Sequence, residues 1–114
     1  MSIIATVLVA MIVFSYCSST KKAAAPKVIP KMTYQANISP IIQANCAPCH
    51  VPDKGGNKKP LDTYTAFVAQ YDESVRRISL NPTDRGFMPN RKPKLSDSTI
   101  AVFKQWKTDG MLEK

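Results

Sequence analysis

The sequence predicts a small all-α domain of three to four helices wrapped around one prosthetic group. Three observations carry this expectation. Helix-start residues precede apolar residues at helical spacing in three places, near 39–42, 62–71 and 96–106. No alternation of strands and helices is present. One run, Cys46-Ala47-Pro48-Cys49-His50, has the C-x-x-C-H spacing at which a haem is attached covalently.

The chemistry explains the spacing. Two thiols add to the two vinyl groups of one porphyrin, and the imidazole that follows reaches the iron from the same side. A turn of helix brings the three side chains against one edge and one face of a flat macrocycle. A neutral imidazole nitrogen is a good iron ligand. Two other readings stay open at this point. A thioredoxin-like dithiol sits in a βαβ context, which this chain lacks. A structural zinc site wants four protein ligands, and the chain offers three cysteines and one histidine, with Cys17 far from the others.

At 114 residues the chain accommodates one domain and a tail, and it carries a net charge of +8. All sixteen Lys and Arg lie after position 20. Residues 1–17 read as an export segment. Ile3 to Phe14 is almost wholly apolar, shorter than the ~20 residues a spanning helix needs and of signal-peptide length. Cys17 follows at once, and the order resembles a bacterial lipoprotein signal, whose cysteine becomes the lipid-carrying first residue. Tyr16 is bulky for that motif and no Lys or Arg precedes the apolar run. An uncleaved signal anchor and a simple cleaved signal are therefore the alternatives. All three place the domain on the periplasmic side of a bacterial membrane, lipid-anchored, signal-anchored or soluble, in a compartment where thiols would otherwise oxidise.

Residues 18–32 form a basic linker with Lys21, Lys22, Lys27 and Lys31 and no burial pattern. It serves as a tether or spacer, its lysines attracted to anionic lipid by about 1 kcal/mol each near the surface. The folded domain occupies 33–114. Ser39 as N-cap and Pro40 at the first helical position open a first helix, with Ile38, Ile41 and Ile42 on one face. Continued, it delivers Cys46 and Cys49. A polar loop runs from Val51 to Pro60. Asp62 or Thr63 caps a second short helix with Tyr64, Phe67, Val68 and Tyr71 as its apolar stripe. A third turn from about Asp72 to Ile78 turns Val75 and Ile78 inward. Asn81 to Asn90 is a loop that carries Met88. Ser96 caps the last helix, Leu95 and Ile100 form a hydrophobic staple, Ile100, Phe103 and Trp106 make the buried stripe, and Gly110 ends it.

The sixth iron position needs a soft donor on a segment that crosses the distal face, and Met88, held by Pro89, suits that. Met32 and Met111 are the alternatives, and a methionine that merely fills the core is the plainer reading of Met88. Arg85 and Arg91 are candidates for neutralising the haem propionates, as is the Tyr64 hydroxyl for hydrogen bonding them; solvated side chains are the default for the two arginines.

On Cys46-Ala47-Pro48-Cys49-His50, Pro60-Leu61 and Met88-Pro89, the chain from about Thr33 to Gly110 resembles the small class I cytochromes c of the bacterial single-haem type. The resemblance implies a cytochrome c-like fold whose C-terminal helix crosses the N-terminal one beside the haem. It implies one covalent haem c, with His50 and Met88 on the iron. It implies that the Pro60 carbonyl accepts from the His50 ring and that Leu61 packs on the haem. His/Met ligation raises the potential relative to two nitrogen ligands and leaves no open coordination site. The expected function is therefore one-electron transfer by a monomer, not enzymatic catalysis, between periplasmic or membrane-bound redox proteins with an acidic docking face. A haem enzyme or gas sensor with an open or labile sixth site, and a non-haem metal or dithiol protein, are the rival classes. Nucleic-acid binding is not expected of an exported chain without a reader module.

Overall fold

The computed structural model describes residues 25, 26 and 28–114. The predicted export segment 1–17, Cys17, and the linker lysines Lys21, Lys22 and Lys27 lie outside them. The described part is helical, as expected, with the helices α1 (Ser39–Asn45), α2 (Tyr64–Ser79) and α3 (Asp97–Thr108).

The first helical segment starts earlier than the Ser-Pro pair suggests. Thr33 is the cap: its hydroxyl accepts from the Ala36 N–H at 3.2 Å, and its own N–H donates to Asn37 Oδ1 at 2.9 Å. A π-helical turn, Tyr34–Ile38, then runs directly into α1, so Ser39 is already helical and caps nothing. Pro40, which has no N–H to donate, falls where the π-helical turn passes into α1. Ile38 and Ile42 are fully buried and Ile41 half-buried. The helix does not carry on through the cysteines. It ends at Asn45, and Cys46–His50 is a run of turns, because Pro48 has no N–H to continue the ladder.

The predicted second helix and third turn are one helix, α2. No Gly or Pro interrupts it between Tyr64 and Ser79. The Thr63 hydroxyl caps it, accepting from the Ala66 N–H at 3.2 Å, and Glu73 braces it by pairing with Arg76 and Arg77 one turn on, at 2.8 and 2.6 Å. Phe67, Tyr71 and Ile78 are buried, but Val68 is exposed. About 100° round the helix from Phe67, it falls at the edge of the stripe, on the side away from Phe67 and Ile78.

Helix α3 follows its sequence signals. The Ser96 hydroxyl accepts from the Thr99 N–H at 3.1 Å, and Ile100, Phe103 and Trp106 are buried. At the C-terminal end the Gly110 N–H bonds to Lys107 O at 3.1 Å and the Met111 N–H to Trp106 O at 2.9 Å. That is a Schellman closure, and it requires the positive φ of 101° that Gly110 supplies.

The core is an aromatic cluster of Tyr34, Tyr64, Phe67, Tyr71, Phe103 and Trp106, with ring centroids 5.6–6.4 Å apart. Its polar handles end on backbone carbonyls: Trp106 Nε1 on Leu112 at 2.8 Å, Tyr64 on Met111 and Tyr71 on Phe103 at 3.0 Å, and Tyr34 on Leu61 at 3.2 Å. Burial, with the Asp62 charge adding to it, pushes the Tyr34 hydroxyl up to about 12. The two ends of the domain close this side. Thr33 pairs with Leu112 in a single parallel bridge. The Tyr34 and Gln35 N–H groups donate to the Leu112 and Glu113 carbonyls at 2.8 and 3.1 Å, and the Met32 N–H donates to Asp109 Oδ2 at 2.7 Å.

Candidate functional site

On the far side of Phe67 and Phe103 lies a cavity of about 570 Å³, within the ~300–1,000 Å³ typical of small-molecule sites. Ile42, Leu61, Phe67, Ile78, Leu95 and Phe103 give it apolar walls. Cys46, Cys49, His50 and Met88 all line it. The turn after α1 supplies the first three. The fourth comes from the loop between α2 and α3.

The loop after His50 shapes the attachment turn. A 3-10 turn, Pro52–Lys54, ends at Gly55 in the left-handed region. Gly56 then presses on the turn's backbone: a Cβ there would overlap the Pro48 carbonyl and stand 2.7 Å from Cys49 O. The return leg is laid along the turn by the Lys58 N–H on Cys49 O and the Leu61 N–H on His50 O, both 3.0 Å. This delivers the Lys59 carbonyl to His50 Nδ1, 2.8 Å away. A carbonyl can only accept, so the contact keeps the ring proton on Nδ1 and leaves the lone pair on Nε2. The carbonyl that orients the ring thus belongs to Lys59 and not to Pro60. Pro60 is exposed and lines no part of the cavity, whereas its neighbour Leu61 is buried in the wall.

Met88 is held by its own N–H, which donates to Arg77 O at the end of α2 at 3.3 Å. The approach to it is shaped by Asp84, whose carboxylate accepts from the Asn81 N–H at 2.9 Å, and by Gly86 at φ 91°. Pro89 beside it is buried. The other two candidate methionines, Met32 and Met111, pack on the core and do not line the cavity.

The charged side chains of the lining are Lys58, Lys59, Arg77, Arg91 and Lys92 against one acid, Glu73. That balance suits an anionic substituent on an otherwise apolar guest. Of the residues expected at propionates, Arg91 lines the cavity, Arg85 does not, and the Tyr64 hydroxyl is taken by Met111. Arg77, Lys92 and the Lys59 carbonyl were not readable as site groups from the sequence, since each acts through the fold. Arg77 donates through Nε to Glu73, whose carboxyl is drawn down to about 2 by hydrogen bonds from Arg76 and Arg77.

The two thiols differ. Cys49 is exposed, while Cys46 is half-buried and burial pushes its thiol up to about 11, with the Lys92 charge opposing. Among the described residues no group of three or more His, Cys, Asp or Glu side chains stands together as a metal site.

The residues present fit a covalently held haem: two thiols and an imidazole with a free Nε2 on one side of an apolar cavity, a thioether in its lining, and cations for the carboxylates. No family model matches the chain, and no curated protein or solved structure matches it.

Proposed function

We propose that the domain is a single-haem c-type cytochrome of the class I kind that carries one electron. One observation supports the reading most: the Cys46–His50 turn and Met88, which lies in a distant loop of the sequence, line one apolar cavity, and His50 keeps Nε2 free because Nδ1 is bound to Lys59 O. Cys46 and Cys49 would hold the porphyrin by thioether bonds, and His50 and Met88 would be the axial ligands. The bound group supplies an iron centre that cycles between ferric and ferrous states. The chain's part is to fix the imidazole, shield the macrocycle between α1, α2 and α3, and balance its carboxylates with Arg77 and Arg91. No acid, base or nucleophile is required, so the domain is an electron carrier and not an enzyme. The net charge of +8 favours a redox partner with an acidic face, met in a weak, salt-sensitive encounter. An exported, membrane-attached location, by lipid on Cys17, completes the reading.

The test is the visible spectrum and mass of protein exported from a host that matures c-type haem. A low-spin c-haem α band and one added tetrapyrrole mass are expected, and both disappear in the Cys46→Ser/Cys49→Ser variant. Colourless wild-type protein overturns the reading. Prompt carbon monoxide binding by the reduced protein would replace the electron carrier with a haem enzyme or gas sensor.

A further inference from the structure

Lys92 stands four residues after Met88, in a stretch whose Arg and Lys side chains read as ordinary solvated charges. Its ammonium lies 3.2 Å from Asn45 O and 3.2 Å from Ala47 O. Asn45 ends α1, where carbonyls are left without helical partners and a cation is favoured. Ala47 lies inside the C-x-x-C run. A single side chain from the Met88 loop therefore reaches over to the attachment turn.

The reach matters because of what else holds the loop. The Met88 N–H is fastened to Arg77 of α2, and Lys94 Nζ donates to Ser79 O of the same helix at 3.3 Å. Both ties bind the loop to its own side of the cavity. Among the described residues, the hydrogen bonds that join segment 39–61 to segment 77–95 come from Lys92 alone. We infer that Lys92 is a positioning residue, a latch that holds the Met88 loop against the haem-attachment turn and so keeps the thioether in place. It touches neither ligand. The inference rests on the haem reading above, and it adds what keeps the sixth position closed.

The test uses the full-length ferric protein with imidazole as the competing ligand, followed by the loss of the thioether–iron absorption band. Lys92→Ala should speed imidazole entry about fivefold, the effect of losing a pair of solvent-exposed, charge-assisted hydrogen bonds. Lys94→Ala removes a similar lysine–carbonyl bond on the other side of the loop and should leave the entry rate unchanged, with thermal melting of both variants measured beside it. An unchanged rate in Lys92→Ala overturns the latch. So does an equal acceleration in both variants, which would mark a general loosening. Colourless wild-type protein would instead remove the haem reading and the latch together, so the two failures are told apart by colour.

Discussion

The two faces of the Phe67–Phe103 layer are built differently. On one face, Tyr34, Tyr64, Tyr71 and Trp106 pack on the layer and on one another, and the chain ends knit over them through Thr33, Leu112 and Asp109. On the other, the walls come from helix sides, but the groups with chemistry come from turns: Cys46–His50, the Lys59 carbonyl and Met88. The first face is rigid through dense packing and satisfied polar handles. The second is held by backbone bonds between loops, such as Lys58 N–H to Cys49 O. The fold is anchored by packing on one side of the layer, and the side chains of the cavity are set by turns on the other. Stability should therefore track the aromatic face, and colour and ligation the cavity face.

That division can be broken by substitution. The largest effect is expected at Trp106, which is fully buried. Trp106→Ala should cost about 3–5 kcal/mol of unfolding free energy, measured by denaturant titration, and wild-type stability would show that the aromatic face is not the anchor. Gly56→Ala comes next. The methyl group has to displace the backbone of Pro48 and Cys49, at about 1–3 kcal/mol by analogy with overpacking. It should also lower the fraction of protein carrying haem, which the ratio of haem to protein absorbance reports. Ser96→Ala removes the α3 cap and should cost about 1 kcal/mol, with the visible spectrum unchanged.

The smallest effect sharpens the comparison through pH. Asp109 accepts from the Met32 N–H at 2.7 Å and from Gln105 Nε2 at 2.7 Å, and these bonds, with the backbone one first, hold its carboxyl below the ordinary 3.8. A carboxyl depressed in the folded state contributes stability above its unfolded value and loses it as pH falls. Asp109→Asn should therefore melt lower than wild type at neutral pH, and the gap should close as pH drops below 3.8. A gap that persists in acid would mean that the end-to-end closure does not depend on this charge.

The legibility of the sequence followed the range of each interaction. Helix α3 was readable to its last turn, because Ser96, the Leu95–Ile100 pair and Gly110 act within a few residues of one another. The first helical segment begins before its most conspicuous signal, because Ser39-Pro40 has the composition of a start while the Thr33 and Asn37 caps sit in less conspicuous sequence. Its end was placed too far on, across a proline. Splitting α2 ignored the absence of any breaker. At the site, the expectation that Cys46, Cys49, His50 and Met88 share one site agrees with their common place in the cavity lining. The Lys59 carbonyl was not legible, since a backbone acceptor leaves no mark on side-chain identity and the neighbouring Pro60 drew the assignment. Lys92 meets partners 45 and 47 positions away, a distance no local pattern spans.

The pairing of Thr33 with Leu112 has a practical consequence. Chain entry and exit share one corner, and none of residues 106–114 or 32–35 contributes to the cavity wall. A neighbouring module or surface that gripped this corner would sit on residues separate from the cavity wall.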